Sequence, residues 1–339
     1  MYSHCKDPQA EKRARDLIES EQAAVDLKTH ADRWKILLAF AAIYFIWGST
    51  YLAIRIGVAE VPPFLLAAIR FVIAGVALYG WAAGRGERSP TARQWASAFL
   101  LGLLIFVLDY GLLFWAERRV PSGVAAVMMA TIPAFMALFE IVLLRTQRLT
   151  FQLGVALLVG FAGVAALTNR SFGLGGATID RQGATALIVA ALSWSLSSSL
   201  TRKLPLPQSK VMSSGAQMLA GGLLLAVAAG AHGEFRNFHP GAISRAAWLS
   251  LLYLIVAGSI IAFTAYVWLI HHESPTRVGT YAYVNPLVAM LLGYFLGDEG
   301  LSARTIVGTA LVLISVVVIT RTRRAQKRVA DLAAEDVAG

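Results

Sequence analysis

The sequence contains little cysteine and little charge. Its one cysteine, Cys5, lies in a polar N-terminal stretch, which excludes an intramolecular disulfide framework and a cysteine-based metal site. Only 15% of the 339 residues are charged and 57% are hydrophobic, against roughly 45–50% apolar residues in an average soluble domain. These proportions exclude an ordinary soluble domain and predict a polytopic membrane protein.

Signature motifs of common enzyme classes are also missing. The sequence has no G-x-S-x-G, no H-E-x-x-H, no Walker-type phosphate loop and no dinucleotide fingerprint after a strand. His271 and His272 have one carboxylate beside them, Glu273, and adjacent side chains do not share a helix face to complete a metal set. We therefore expect no enzyme activity, no cofactor and no metal site.

Long apolar runs are abundant instead. A helix needs about 20 residues to cross a hydrocarbon layer of ~30 Å, and ten runs have roughly that length. We predict an all-α polytopic membrane protein whose spans lie at 36–57, 63–83, 95–116, 121–144, 151–168, 183–201, 211–231, 247–270, 277–296 and 303–320.

Lysine and arginine are unevenly distributed between the predicted loops. If the N-terminus is cytoplasmic, that side holds most of them, including the cluster at 321–328, and the opposite side holds only a few arginines. The bias predicts a bacterial inner-membrane protein with both termini in the cytoplasm. It also accounts for the net charge of +10 through contact with anionic lipid headgroups, so we expect no nucleic-acid partner.

Several residues recur at a fixed spacing along the chain. A shift of 147 residues relates Trp47 to Trp194, Arg55 to Arg202 and Gly75 to Gly222. A shift of 153 residues relates Trp115 to Trp268 and Pro133 to Pro286. Such self-similarity indicates an internal duplication. Because five spans per half is an odd number, the second half must enter the membrane from the opposite side, as in inverted-repeat transporters.

This duplication predicts the domain organisation. The expected parts are a cytoplasmic tail at 1–35, a first five-helix repeat at 36–168, a connecting loop at 169–182, a second repeat at 183–320 and a C-terminal tail at 321–339. Pro133 and Pro286 each lie within a span, where proline removes a hydrogen-bond donor and kinks the helix. In lipid, freed backbone groups are tolerated only where protein or a water-filled cavity covers them, so we predict two kinked helices at a central cavity.

Ionisable side chains inside the spans mark candidate sites, because burying one in lipid costs at least about 2.5 kcal/mol. Four such residues stand out: Arg70, Asp109, Glu117 and Glu140. In the functional interpretation the carboxylates bind a proton or a cation, and Arg70 is a counter-ion or anchors a substrate carboxylate. In the structural alternative, Arg70 pairs with a carboxylate as a lock, and Glu117 and Glu140 reach the interface.

Aromatic and polar side chains inside the spans suit the wall of a cavity that is partly polar and partly apolar. Tyr110 and the repeat-related pair Trp47 and Trp194 have this character, with helix packing as the alternative. Ser198 and Gln217 add a hydroxyl and an amide, although hydrogen bonding between helices is the commoner use of such groups.

Three segments carry a family resemblance: IWGSTYLAIRIGVAEVPPF at 46–64, AERRVPSGVAAVMMATIP at 116–133 and GSIIAFTAYVWLIHHESPTRVGTYAYVNPLVAMLLG at 258–293. With them the chain resembles the EamA-type members of the drug/metabolite transporter superfamily, in particular the YedA-like permeases, over roughly residues 36 to 320. The resemblance implies ten helices in two inverted halves around a substrate cavity. The cavity residues that it implies are Trp47, Ser49, Thr50, Tyr51, Pro133, Trp194, Tyr283, Asn285 and Pro286.

Two features depart from the family pattern. The segment at 145–150 lacks the acidic residue that the second half keeps as Asp298–Glu299, and Asp109–Tyr110 replaces the small or amide residues usual in the third span.

We expect a secondary transporter that exports small metabolites, amino acids or drugs by alternating access, with proton coupling at Asp109, Glu117 or Glu140. A lipid-linked carrier flippase and an uncoupled facilitator or channel remain alternatives. The expected partners are a small-molecule substrate, membrane lipids and protons, for a monomer or a homodimer.

Overall fold

A computed structural model describes residues 34–142, 149–168, 179–201, 203–272, 278 and 280–338. Within these ranges the chain forms helices joined by turns and contains no β-strand. The helices are α1 (Trp34–Glu60), α2 (Pro63–Gly84), α3 (Ala92–Glu117), α4 (Ser122–Met129), α5 (Ile132–Val142), α6 (Phe151–Thr168), α7 (Arg181–Thr201), α8 (Lys210–Ala231), α9 (the consecutive stretches Arg245–Tyr253, Leu254–Ile261 and Ala262–His272), α10 (Tyr281–Leu296) and α11 (Ala303–Ala338).

Eight helical stretches of the described chain are long and apolar enough to cross a membrane. Two further apolar helices, Phe151–Leu167 and Tyr281–Leu296, are shorter. The prediction of an all-α polytopic membrane protein is therefore confirmed, with eight spans by this measure where the sequence predicted ten. The first 33 residues and most of the predicted connecting loop lie outside the described residues.

Several interhelical turns meet at one end of the bundle, which is called the upper end. Its turns lie at 61–62, 118–121, 232–244 and 297–302. Hydrogen bonds between side chains and backbone groups in these turns and in the adjoining helix ends connect them. The upper end is therefore closed by polar contacts between distant parts of the chain.

Helices α2 and α8 pack closely at the centre of the bundle. A Cβ added at Gly75 would lie 2.7 Å from the backbone nitrogen of Leu219, and one added at Gly222 would lie 2.8 Å from that of Val72. Because real Cβ atoms do not approach backbone so closely, glycine is required at both positions. The two helix backbones are thus in direct contact.

Replacement of Gly75 by alanine is expected to destabilise the protein by about 1–3 kcal/mol, because the added methyl group overpacks the contact with α8. The melting temperature of the purified protein in detergent measures this effect. Gly80→Ala is the matched control, since Gly80 lies in the same helix with nothing within 4 Å of an added Cβ. An equal melting temperature for both variants would contradict the close contact.

Three helices contain π-helical stretches, in which the backbone hydrogen bonds span five residues and the helix widens. These stretches are Ala42–Ile46 in α1, Gly102–Gly111 in α3 and Leu254–Ile261 in α9. The indole Nε1 of Trp47 donates to the carbonyl of Gly258 at 3.1 Å, and the hydroxyl of Ser193 donates to that of Leu104 at 2.8 Å. Side chains of other helices therefore bind carbonyls of the two longer π-helical stretches.

The two span prolines have different effects. Helix α4 ends at Met129, shortly before Pro133, and the break is closed by the Thr131 hydroxyl, which donates to the carbonyl of Met128 at 2.6 Å. Pro286 instead lies inside the continuous helix α10. The predicted break is thus present before Pro133 and not at Pro286.

Candidate functional site

Arg70 lies at the centre of the bundle and is only 2% exposed. Its Nε donates to the hydroxyl of Ser259 at 2.8 Å, in the π-helical stretch of α9. Its guanidinium carbon lies 4.8 Å from the ring centre of Phe71 and 5.4 Å from that of Tyr110. Within the described chain Nη1 has no hydrogen-bond partner and no carboxylate forms an ion pair with Arg70. Within the part of the chain that the structure describes, Arg70 therefore lacks the carboxylate partner of the structural alternative, and Nη1 has a vacant donor position that suits an anionic group.

Two carboxylates of α3 are buried without partners. Glu117 is fully buried, and neither of its carboxylate oxygens has a hydrogen-bond partner among the residues that the structure describes. Asp109, in the π-helical stretch, is 1% exposed, and its Oδ1 is likewise unpartnered there. Because a buried ionised carboxylate without a partner costs several kcal/mol, these oxygens point to a bound proton or cation.

Glu117 is enclosed by protein at the end of α3. Arg55, Arg70 and Glu299 all lie close enough to interact with it electrostatically. The side chain of Glu140, the third predicted coupling carboxylate, lies outside the described residues. Arg70, Asp109 and Glu117 are called the central charged group.

Aromatic rings lie beside Arg70. Tyr110 lies 4.8 Å from Phe71 and 6.1 Å from Trp194, measured between ring centres. A second aromatic set joins α1 to α9 and α10, because Trp47 lies 5.2 Å from Tyr266 and 5.1 Å from Tyr281. The predicted cavity aromatics Trp47, Tyr110 and Trp194 therefore lie in contacts between helices. Tyr51 packs against the same hydrophobic core.

Asn285 and Thr50 bond to backbone. With its amide nitrogen turned towards α1, Asn285 donates to the carbonyls of Ile43 at 3.3 Å and Tyr281 at 3.2 Å. The Ile43 carbonyl belongs to the π-helical stretch of α1, so this amide satisfies a widened part of that helix. The hydroxyl of Thr50 donates to the carbonyl of Trp47 in its own helix at 2.6 Å. Both residues thus fix helix geometry next to the central charged group.

Four other predicted cavity residues make their hydrogen bonds elsewhere. Ser198 donates to Trp194 and Gln217 to Ser213, each within its own helix. The remaining two contact other helices: Ser49 shares a 2.6 Å hydrogen bond with the hydroxyl of Tyr253, and the hydroxyl of Tyr283 donates to Val316 and Thr320 of α11.

Two grooves open between helices of the described chain. One, of about 680 Å³, lies near the upper end between Trp115 and Arg181, with His232 at its edge. The other, of about 380 Å³, is lined by Ser49, Tyr253 and apolar side chains of α1 and α10. Neither groove is lined by residues of the central charged group. These two grooves therefore do not extend to Arg70, Asp109 or Glu117.

Sequence reasoning missed Arg55 and Glu299. Arg55 Nη1 donates to the carbonyls of Glu117 at 2.7 Å and Val120 at 2.9 Å, and its Nε lies 3.4 Å from a carboxylate oxygen of Glu299. Glu299 also accepts from the backbone N–H of Ser122 at 2.7 Å. The available signals were the position of Arg55 in the first span and the acidic pair after the ninth, but neither identifies its partner.

Glu234, in a turn at the upper end, is a further carboxylate that the sequence did not single out. It accepts from the backbone N–H of Leu65 at 2.8 Å, at the start of α2. Burial raises the pKa of this carboxyl, and the hydrogen bonds from Leu65 and Phe64 act in the opposite direction.

Comparison with known proteins identifies the family. The model of the EamA-like transporter family matches residues 33–169 and, a second time, residues 181–321. The chain belongs to the EamA-like transporter family. The resemblance deduced from the three sequence segments is thereby confirmed.

Individual relatives agree with this family assignment. The chain is 38% identical over 284 residues to the "Uncharacterized inner membrane transporter YedA" of Escherichia coli strain K12. The aligned region covers 83% of this chain and 89% of the relative. The chain is 27% identical over 276 residues to "Protein PecM" of Dickeya dadantii, and this aligned region covers 81% of this chain and 88% of the relative. A solved crystal structure matches with a TM-score of 0.57 at 25% identity and covers 86% of this chain and 98% of its own. The name of the first relative is that of a transporter and includes an inner-membrane location.

Proposed function

We propose that this EamA-like protein is a secondary transporter that exports a small metabolite, an amino acid or a drug by alternating access. The observation that carries the proposal is the central charged group, which combines an unpartnered guanidinium N–H with unpartnered carboxylate oxygens. Buried charged groups in membrane proteins are retained where they serve a substrate or ion path. In this proposal Arg70 binds an anionic group of the solute, and Asp109 and Glu117 bind the coupling proton.

We further propose that the chain is an inverted repeat of five plus five spans, completed by the shorter helices α6 and α10. Reciprocal contacts support this arrangement. Gly75 meets the backbone at Met218 and Leu219, and Gly222 meets the backbone at Phe71 and Val72. A shift of 147 residues converts the first contact into the second. A pseudo-two-fold axis between the halves produces such exchanges.

A second reciprocal pair lies between other helices. A Cβ added at Gly48 would lie 3.3 Å from the carbonyl oxygen of Asn285. The hydroxyl of Ser195 donates to the carbonyl of Ile132 at 3.1 Å. Ser195 follows Gly48 by 147 residues, and Ile132 precedes Asn285 by 153, which are the two repeat shifts. In alternating access, halves related in this way rock about a shared site.

With both termini in the cytoplasm, the upper end faces the outside of the cell. The contacts across that end then describe a conformation closed to the outside. Solute would bind from the inside and leave when the upper end opens.

A lipid-linked carrier flippase is the second candidate. The groove of about 380 Å³ between α1, α9 and α10 favours it, because its lining includes exposed apolar side chains such as Phe45 and Leu291. In a bilayer these side chains contact lipid, so an amphipathic molecule has a lateral route to the bundle. A flippase would move a labelled lipid-linked sugar between leaflets without accumulating a soluble solute.

The test is uptake by proteoliposomes of purified protein, using pooled amino acids and anionic drugs, with and without an outward proton gradient from an acidic lumen. We expect accumulation above equilibrium that collapses when an uncoupler is added. Equilibration that ignores the gradient would indicate a facilitator instead. Absence of solute movement, together with transfer of the lipid probe, would indicate the flippase.

A further inference from the structure

Three glutamates at the upper end hydrogen-bond to the first turns of helices in the other family-matched segment. Glu299, of the second segment, accepts from the backbone N–H of Ser122 and of Gly123 at 2.7 and 3.2 Å, at the start of α4. Glu234, also of the second segment, does the same for Leu65 in α2. These carboxylates join two parts of the chain that the family model matches separately.

Glu60 makes the same type of contact in the opposite direction. It belongs to the first segment, and its two oxygens accept from the backbone N–H and the hydroxyl of Ser244, both at 2.6 Å, at the start of α9. By contrast, α3 and α8, which begin at the other end of the bundle, are capped by the adjacent residues Thr91 and Ser209. At the upper end, α7, α9 and α11 also have adjacent caps, which are Asp180, Ser244 and Ser302. Helices α2 and α4 follow prolines that give no side-chain cap, so Glu234 and Glu299 of the other segment take that place, while Glu60 binds the N-cap residue of α9.

Helix starts are suitable places for a contact that must form and break repeatedly. The first N–H groups of a helix have no partner within the helix, and an anion is favoured beside them. When such a cap leaves, water replaces it and the helix keeps all its internal hydrogen bonds. The two segments can therefore separate at the upper end without unwinding a helix.

Arg55 reinforces one of the three contacts. It holds Glu299 at 3.4 Å while it donates to the carbonyls of Glu117 and Val120, so it links α1, the end of α3 and the turn after α10. The carboxylate of Glu117 is fully buried next to this link. The arrangement separates the central charged group from the upper surface.

We infer that Glu60, Glu234, Glu299 and Arg55 form the outer gate of the transport path. Their contacts across the two segments hold the upper end shut, and they release when the path opens outward. The inference rests on the proposed transport function, because it assigns a role to these residues within the transport cycle. It adds gating residues outside the central charged group.

Labelling of a central cysteine from the outside tests the gate. In a Cys5→Ser background, Ser259→Cys places a thiol beside Arg70, and right-side-out vesicles are exposed to a membrane-impermeant maleimide. The labelling rate is proportional to the population of the outward-open state. We expect Glu299→Ala and Arg55→Gln to raise this rate about tenfold, and the combination of Glu60→Ala with Glu234→Ala to raise it as well.

Arg119→Gln is the matched control. Arg119 is another arginine at the upper end, 4.0 Å from the carboxylate of Asp180, but outside the proposed gate. An unchanged labelling rate in the gate variants, or an equal increase in Arg119→Gln, would overturn the inference. If an alanine variant does not fold, Glu299→Gln and Glu234→Gln replace it. These variants keep an acceptor oxygen and remove the charge, and their labelling rates are compared with that of Arg119→Gln in the same way.

Labelling requires no transported solute, so the gate and the function can fail separately. Faster labelling of the gate variants, without solute accumulation by the wild type, would support the gate and reject coupled transport. Accumulation by the wild type with unchanged labelling of the variants would reject the gate alone.

Discussion

Replacement of Arg70 by methionine is expected to abolish transport without lowering the stability of the protein. Arg70 has an unpartnered N–H and no carboxylate partner within the described chain, so its removal breaks one hydrogen bond, to Ser259, but no ion pair, and it relieves the burial of an unpaired charge. The melting temperature should therefore stay the same or rise. Loss of a buried charged contact to the solute should reduce the uptake rate by roughly 100-fold or more.

Uptake by proteoliposomes and the melting temperature of the same preparation are the two measurements. Arg85→Met is the matched control, because the Arg85 guanidinium carbon also lies 4.8 Å from an aromatic ring centre, that of Trp81, but outside the bundle centre. Arg70→Lys should also transport poorly, because an ammonium does not reproduce the planar fork of guanidinium. Transport by Arg70→Met at the wild-type rate would remove Arg70 from the site.

Replacement of Glu117 by glutamine is expected to uncouple transport from the proton gradient. For one proton per solute, a gradient of one pH unit sustains about tenfold accumulation, which is equivalent to about 1.4 kcal/mol. Glutamine is similar in size but does not carry a proton in exchange. We therefore expect an accumulation ratio near one, while movement of solute down its own gradient continues.

The measurement is the steady-state ratio of inside to outside solute, with and without an uncoupler. Glu87→Gln is the control, because Glu87 also has a buried oxygen without a partner in the described chain but lies beyond the end of α2. Uncoupler-sensitive accumulation that persists in Glu117→Gln would assign coupling to another group. Asp109→Asn is then the next variant to measure.

The central charged group was predictable from the sequence because of its local context. Arg70, Asp109 and Glu117 stand out as ionisable residues inside long apolar runs, and lipid penalises such residues wherever they point. Their burial and their unpartnered atoms agree with that prediction. No partner needs to be known in order to recognise them.

The inward-facing polar residues were harder to predict. Gln217 and Tyr283 were assigned to the cavity, but Gln217 bonds within its own helix and Tyr283 bonds to α11. In a soluble helix the apolar stripe marks the inner face. In a membrane helix the outer face is apolar as well, so the sequence does not define how the helix is rotated.

The sequence by itself determined that the chain is an all-α polytopic membrane protein, because in lipid each segment must satisfy its own backbone hydrogen bonds and local apolar runs are therefore sufficient evidence. Only the tertiary structure decided which residues close the upper end. Arg55 and Glu299 lie far apart in the sequence, as do Glu234 and Leu65, and no local pattern relates them. A carboxylate capping a distant helix start depends on how the helices are placed, and packing alone sets that placement.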